Sequence, residues 1–339
     1  MGNLTFGRLK ERRSEKMKDN RISHFLGVLS ETYPVTCGEA ACAEKIKEIL
    51  TENGAEVLID AMGNVIARKT AKRTDGEVPK KRLYCAGIDV PGFTVLGVEE
   101  NGRVNIAKLG ELDIGNILYS TVRFTHGTKV CAEGIVLRDG IGDDAAFYAD
   151  TGITDAGELA DKVRCGDGAA IKGGITVHAD GNIYGFGAAN LLCTAALIDM
   201  FLGTDADRCG CDVYALFAVQ SNLRARGFEA AVNAVRPDEV ILITHSHGEK
   251  KPGKVSDGAK LIAKYRSGFS SEELIGELSH ISGGTLGVCV SDSDGVELGM
   301  AVRAGALFAA VCIPSENCGS FGEHVNVKDG EAVRKICGS

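Results

Sequence analysis

Several common features are missing or scarce in this sequence of 339 residues. Tryptophan is absent, there are only six prolines, and basic residues do not predominate, since the formal net charge is -8 and the pI is about 5.5. An acidic chain does not suit a nucleic-acid binder, whose surface needs an excess of Lys and Arg. No apolar run is long enough to span a bilayer, which argues against a membrane helix.

The first twenty residues are polar and basic, without the apolar segment of a secretory signal. We expect a mobile charged tail over 1–20, and Met17 is an alternative start. The twelve cysteines are spread along the chain, and without a secretion signal we expect them to be reduced in a cytoplasmic protein. Cys209 and Cys211 lie two apart without a second pair, which favours a loop thiol pair over a zinc or redox motif.

The rest of the sequence alternates helical and strand-like patterns, which is typical of an α/β fold. Short apolar runs end near residues 86, 219, 243 and 313 and predict buried strands, and 56–60 with 63–67 predict a hairpin. Helices are predicted over 191–201 and 271–278. Between 94 and 182, strand-like alternation with glycine turns predicts strands at 94–99, 104–109, 117–124 and 131–137. We therefore expect a doubly wound mixed sheet over 21–93 and 183–339, interrupted by a β-barrel-like module at 94–182.

The most informative segment is 216–227, an apolar run that ends in a polar turn. It resembles the signature Gln-Glu-Glu-Val-Gly-x-Arg-Gly of the glutamyl and tetrahedral aminopeptidases, metallopeptidase family 42, some of whose members are labelled endoglucanases. In that family the first glutamate is the general base and the second is a metal ligand. Gln220, Arg226 and Gly227 match the signature, whereas the two carboxylate positions hold Ser221 and Asn222.

Other landmarks of the same family follow in order. Where the family has Ala-His-x-Asp-x-x-Gly-Phe, Gly87 stands at the ligand histidine and Asp89 at the aspartate that orients it. Gly187 stands at the aspartate that bridges the two metals, in the family's Ala-Phe-Asp-Asp-Arg-Ala-Gly. Thr244 stands at another ligand aspartate, and Gly319 stands at the last ligand histidine. The resemblance extends over nearly everything from residue 22 onward.

The resemblance implies an aminopeptidase-like fold that lacks the family's metal ligands and general base. A dinuclear hydrolase needs two cations about 3.5–4 Å apart, a bridging carboxylate and a base. The family uses two divalent metals, zinc or cobalt, but glycine offers no side-chain donor, and Ser, Thr and Asn are weak ligands. We therefore expect no cofactor and no intact catalytic residue, with Ser221 at the base position. The resemblance also implies an oligomer joined through the inserted module, either a homo-oligomer from dimer to dodecamer or a hetero-oligomer with an active paralogue.

Several polar groups near these positions form a candidate residual pocket for a small peptide or an anionic ligand. Its members are Asp89, Gln220, His245, His247, Cys318 and Glu323. His245 and His247 lie two apart at a predicted strand end, so they could share one face. A single metal could then bind them together with Asp89, Asp292 or Cys318.

Two further patterns are weaker. Ser246 lies between two histidines but lacks the Gly-x-Ser-x-Gly frame of a serine hydrolase. The segment 185–190 nearly matches a dinucleotide fingerprint, with Asn190 at the third glycine, and its helix start could also bind an anion such as a peptide carboxylate. The leading hypothesis is a non-hydrolytic family member that binds a ligand or serves as an oligomer subunit. The second hypothesis is a metallo-aminopeptidase or other hydrolase with a rearranged metal site.

Overall fold

The computed structural model describes residues 21–73, 78–140, 146–246 and 253–337. The predicted tail over 1–20 and His247 lie outside these ranges. The elements of the first half are α1 (Arg21–Ser30), α2 (Ala40–Glu52), β1 (Glu56–Ile59), β2 (Val65–Lys69), β3 (Lys81–Gly87), β4 (Gly92–Val98), β5 (Arg103–Leu109), α3 (Ile114–Ile117), β6 (Thr121–His126), β7 (Lys129–Asp139), β8 (Ala146–Asp150), α4 (Ala156–Lys162) and β9 (Gly168–Ile171).

The second half returns to the main sheet. Its elements are β10 (Thr176–Val177), β11 (Asn182–Tyr184), α5 (Ala188–Gly203), α6 (Ala206–Cys209), β12 (Asp212–Ala218), α7 (Arg226–Val235), β13 (Glu239–His245), β14 (Lys260–Lys264), α8 (Glu272–Ile281), β15 (Gly287–Val290), α9 (Val296–Arg303), β16 (Leu307–Ile313), β17 (His324–Asn326), α10 (Val327–Glu331) and a 3-10 turn (Ala332–Ile336). No helix in the described ranges is both long and apolar enough to cross a membrane.

Eight strands form one mixed sheet in the order β1-β2-β12-β3-β13-β16-β14-β15. The four strands β12, β3, β13 and β16 run parallel, and β2 and β14 pair antiparallel on either side of them. The predicted hairpin is β1 with β2. The carboxyl ends of the four parallel strands meet at one edge, which is where open α/β sheets bind ligands.

Alternate side chains of the central strands enter two different cores. Tyr84 and Ala86 of β3 belong to the core that contains residues of α1, α2 and α5. Leu83 and Cys85 belong to the core that contains residues of α7 and α9. Because neighbouring strand residues point to opposite faces, a sheet covered on both faces needs continuous apolar runs. These layers confirm the predicted α/β fold with helices on both faces of the sheet.

Six strands close a separate barrel in the order β4-β5-β8-β7-β6-β9, with every neighbouring pair antiparallel. The pairing of Phe93 with Ala169 joins the first strand to the last. This barrel confirms the predicted β-barrel-like module. The strand predicted to begin at residue 117 begins instead at Thr121, because Ile117 ends the short helix α3.

Candidate functional site

The positions singled out by the family resemblance lie at the carboxyl edge of the parallel strands. Gly87 ends β3, and it pairs in register with Ala218 at the end of β12. Ser221 and Asn222 follow in the turn after β12, while Thr244 lies near the end of β13. The loop after β16 carries Gly319, and Gly187 immediately precedes α5.

Asp89 is the centre of a hydrogen-bond network at this edge. It is fully buried, with 0% of its surface exposed. Its carboxylate accepts the Thr36 hydroxyl at 2.8 Å, the Ser221 N–H at 2.8 Å, and the N–H and Nδ2 of Asn222 at 3.2 and 3.0 Å. Both carboxylate oxygens are therefore in use within the chain. Asp89 holds the turn after β12 instead of orienting an imidazole.

The turn after β12 has an unusual backbone. Gln220, Arg224 and Ala225 have φ values of 54°, 57° and 52°, in the left-handed region that disfavours residues with a side chain. Glu39 accepts the Gln220 N–H at 2.9 Å and helps to hold this conformation. Burial, reinforced by the nearby charge of Asp89, raises the pKa of Glu39 to about 7.

Gly227 explains why the turn ends in Arg-Gly. A Cβ at this position would lie 2.3 Å from the side-chain oxygen of Asn64 and 2.3 Å from the carbonyl oxygen of Val219. Asn64 is itself buried and accepts the Val219 N–H at 3.0 Å while donating to the Gly227 carbonyl at 3.0 Å. Glycine is therefore required where this backbone passes the Asn64 side chain and the Val219 backbone.

At the three glycines where the family resemblance places metal ligands, a side chain would collide with neighbouring atoms. Gly187 and Gly319 also have positive φ values, +77° and +75°. An ideal Cβ would lie 2.6 Å from Ser221 Oγ at Gly87, 2.6 Å from Val90 Cγ1 at Gly187 and 2.5 Å from the Glu111 carbonyl oxygen at Gly319. Since real Cβ atoms do not approach other heavy atoms so closely, a ligand side chain at these positions would require its surroundings to move.

The donors present at the other positions do not fit two hard divalent cations. Ser221, Asn222 and Thr244 carry neutral oxygens, and the Asn222 amide nitrogen faces Asp89 and Thr36. Within the described ranges, no group of three or more His, Cys, Asp and Glu side chains is arranged to hold a metal ion. The predicted pairing of His245 with His247 involves a residue outside those ranges.

Two members of the candidate pocket, His245 and Cys318, do come together. His245 Nδ1 lies 3.7 Å from Cys318 Sγ and 3.4 Å from Ser315 Oγ. Ser246 and Ser315 join the ends of β13 and β16, because Ser246 Oγ donates to the Ser315 carbonyl at 2.9 Å and accepts the Ser315 N–H at 2.7 Å. The Ser246 hydroxyl is thus buried and links the ends of two strands. This position does not suit a nucleophile.

Glu323 occupies the N-terminus of α5. Its carboxylate accepts the Ala189 N–H at 2.6 Å and the Gly319 N–H at 3.1 Å. The helix start over 185–190, which the sequence offers as an exposed anion or nucleotide site, therefore already holds a carboxylate of the same chain. The sequence pattern gave no sign of this contact, because Glu323 lies 134 residues from Ala189.

Glu323 makes the stability of the protein depend on pH. Burial outweighs the N–H donors of Ala189, Gly319 and Gly187 and raises the pKa of Glu323 from its ordinary value of 4.5 to about 7. The folded state then holds a proton between pH 4.5 and 7 that the unfolded state releases, so stability is lost as the pH rises through 7. In Glu323→Gln we expect this loss to be smaller by about 1–3 kcal/mol between pH 5 and pH 8.

Denaturant unfolding at several pH values measures this difference. The matched control is Glu158→Gln on the exposed face of α4, a variant that keeps Glu323 and should therefore keep the loss of stability that Glu323 causes. Curves for wild type and Glu323→Gln that run parallel from pH 5 to pH 8 would show that Glu323 does not titrate in this range.

Comparisons with known proteins give a consistent result. The family model described as M42 glutamyl aminopeptidase matches residues 63–336. A curated protein of Acetivibrio thermocellus named as an aminopeptidase is 23% identical over 228 residues, which cover 66% of this chain and 64% of that protein. The chain thus spans less than two thirds of the length of this relative.

Solved structures share the fold at low sequence identity. The aminopeptidase APDkam598 of the archaeon Desulfurococcus kamchatkensis has a TM-score of 0.80 at 15% identity, with 94% of each chain covered. The TET1 peptidase of Pyrococcus horikoshii, which assembles into a tetrahedron or a large octahedral shell, has a TM-score of 0.74 at 19% identity, covering 89% of this chain and 94% of that one. An endoglucanase of Thermotoga maritima has a TM-score of 0.73 at 19% identity, covering 92% and 94%. Together with the family match, these findings confirm the resemblance seen in the sequence: the chain belongs to the M42 glutamyl aminopeptidase family.

Proposed function

We propose that this chain is a member of the aminopeptidase family that no longer hydrolyses peptides with two metals, and that it binds a small peptide or another small ligand as a subunit of an oligomer. One observation carries the proposal. At Gly87, Gly187 and Gly319 the space for a ligand side chain is filled by other parts of the chain.

The chemistry of the turn after β12 supports the same conclusion. Ser221 stands where the family has its general base, and a serine hydroxyl does not accept a proton from water at neutral pH. Loss of a general base alone costs about 10²–10⁴ in rate. Asp89, the carboxylate that contacts Ser221 itself, accepts four hydrogen bonds from Thr36, Ser221 and Asn222. Neither group is available to activate a water molecule.

A cavity next to the Gly319 loop is our proposed ligand site. Its volume is about 290 Å³, which suits a small ligand. The Asp113 N–H donates to the Gly319 carbonyl at 3.0 Å, so the cavity adjoins the position of the family's last ligand. Its lining is mainly polar and consists of Asp113, Asn116, Asn317, Ser320, Phe321 and Gly322. A carboxylate and two amides provide partners for a charged amino group and for peptide N–H and C=O groups.

The oligomer is the second part of the proposal. The TET1 peptidase that shares this fold assembles into closed shells. We propose that the barrel module, bounded at 94–182, mediates contact between subunits in a cytoplasmic homo-oligomer or with an active paralogue. Native mass spectrometry measures the size of the assembly, and purification from the native host identifies its members. A monomer at micromolar concentration would contradict this part.

Measurements of metal content and of peptide hydrolysis together test the proposed loss of two-metal catalysis. The untagged protein is incubated with zinc, cobalt or manganese, desalted, and analysed for metal and for hydrolysis of a panel of aminoacyl substrates. We expect less than about 0.1 metal per chain and no turnover above the buffer rate, because two-metal hydrolysis needs ligands that are absent at these positions. An active member of the family, treated identically, is the positive control. Two metals per chain with hydrolysis would overturn the proposal.

The contact between His245 and Cys318 favours a second candidate, a hydrolase with a rearranged site that holds one metal. A thiolate and an imidazole are zinc ligands, and these two lie 3.7 Å apart. This candidate predicts one zinc per chain, lost in both His245→Ala and Cys318→Ser and retained in Cys165→Ser, which changes an exposed cysteine elsewhere. Unchanged metal content in the first two variants would contradict it.

A further inference from the structure

Two cysteines distant in sequence meet near the amino ends of β3 and β12. Cys209 ends α6, and Cys337 follows the 3-10 turn Ala332–Ile336. Their sulfur atoms lie 3.7 Å apart, although 128 residues separate them. The sequence favoured a loop thiol pair of Cys209 with Cys211, so the structure gives Cys209 a different neighbour. A disulfide needs the two sulfurs to approach to about 2.05 Å, so the two thiols must move closer together before they can bond.

The surroundings of the pair keep the two sulfurs together. The Tyr84 hydroxyl donates to the Ile336 carbonyl at 3.2 Å and anchors the turn that carries Cys337. Thr204 Oγ1 lies 3.1 Å from Cys337 Sγ. Cys337 is buried, whereas Cys209 is partly exposed. A small reagent therefore reaches Cys209 first.

The electrostatic environment distinguishes the two thiols. A hydrogen bond from Cys209 lowers the pKa of Cys337 below the ordinary value of a thiol, against the effect of burial, and the positive charge of Arg82 acts in the same direction. The same contact raises the pKa of Cys209. Cys337 is thus the thiol that more readily becomes the attacking thiolate of an exchange reaction.

We propose that Cys209 and Cys337 form a redox-sensitive dithiol site, which a low-molecular-weight disulfide such as oxidised glutathione converts into an intramolecular disulfide. Cys209 Sγ passes its proton to the neighbouring Cys337 thiolate, attacks one sulfur of the reagent, forms a mixed disulfide and releases one thiolate. Cys337 gives this proton to the released thiolate and then attacks Cys209 Sγ, which forms the Cys209–Cys337 bond and releases the second thiol with a proton from water. The two cysteines lose two protons and two electrons, and the reagent gains them.

The bond would fix the end of the described chain to the main domain. The 3-10 turn before Cys337 already contributes Arg334, which pairs with the buried carboxylate of Asp199 on α5. Closing the long loop between the two cysteines restricts the unfolded chain. We therefore expect oxidation to raise the Tm by about 5 °C, and reduction to reverse the change.

The full chain is incubated with oxidised glutathione at pH 7.5, blocked with an alkylating reagent, digested without reduction and analysed by mass spectrometry. We expect one cross-linked peptide that joins Cys209 to Cys337, with no change in Tm after the same treatment of Cys209→Ser. The matched control is Cys211→Ser, which removes a cysteine two residues away and should leave the cross-link and the rise in Tm intact.

Three results would overturn the proposal. They are a stable glutathione adduct on Cys209 without the cross-link, a cross-link from Cys209 to Cys211, and a rise in Tm that persists in Cys209→Ser. The first two results are read on the wild-type protein alone, so they do not depend on the folding of any variant.

Discussion

Asp89→Ala is expected to lower the free energy of unfolding by about 3–5 kcal/mol. The substitution leaves four donor groups of Thr36, Ser221 and Asn222 without their acceptor in a fully buried position. It also releases the turn after β12, whose backbone is in an unfavourable conformation at Gln220. Urea unfolding of the variant against wild type measures the loss.

The control for this prediction is Asp150→Ala. Asp150 lies at the end of β8, is exposed, and its side chain accepts the Gly152 N–H at 2.8 Å. We expect that variant to lose less than about 1 kcal/mol. Asp89→Asn should fall between the two, since its amide nitrogen would face donors, and it serves if the alanine variant does not fold. A loss below about 1 kcal/mol in both Asp89 variants would contradict the structural role of this carboxylate.

This role of Asp89 was outside the reach of the sequence. The aspartate was recognisable from the motif around it, and the resemblance suggested a carboxylate left without a histidine to orient. Its actual donors are 53 positions away at Thr36 and 132 positions away at Ser221. Such contacts depend on how the strands are ordered in the sheet, and no local pattern encodes that order.

The sequence predicts the fold better than it predicts the contacts within the site. The strand predicted to end near residue 219 is Asp212–Ala218, because buried strands require apolar runs that are visible in the sequence. The strand Lys260–Lys264 was not predicted, since its five residues begin and end with lysine. It nevertheless pairs antiparallel with Leu307–Ile313 in the sheet, so its place is decided by tertiary contacts.

In the candidate pocket, too, the sequence predicts some contacts and misses others. Cys318 and His245 were grouped from the family's motif order, and the structure brings them together. The sequence also places Glu323 in this pocket, whereas in the structure Glu323 binds the N-terminus of Ala188–Gly203. A motif therefore locates the region of a site, whereas burial and hydrogen bonding decide whether each side chain is available.

Gly187→Asp, which installs the family's bridging carboxylate, is expected to cost about 3–5 kcal/mol and to bring no metal. The positive φ of +77° disfavours any side chain, and the Cβ would overlap Val90 at 2.6 Å. Gly187→Ala contains the same two costs without the charge. Unfolding by denaturant and metal analysis after incubation with zinc or cobalt give the two readouts.

Gly152→Ala separates conformational strain from overlap. Gly152 has a φ of +75°, nearly that of Gly187, but a Cβ there meets nothing within 4 Å. We expect Gly152→Ala to cost about 1–2 kcal/mol, the penalty for the left-handed backbone alone, and Gly187→Ala to cost at least about 1 kcal/mol more. Val90→Ala removes the atom nearest to the new Cβ. In the Gly187→Ala variant, Val90→Ala should therefore lower the free energy of unfolding less than it does in the wild-type protein. Equal losses of stability in Gly152→Ala and Gly187→Ala, or zinc bound by Gly187→Asp, would contradict the prediction. Either result would mean that space for a metal remains and that only the side chains at the ligand positions have changed.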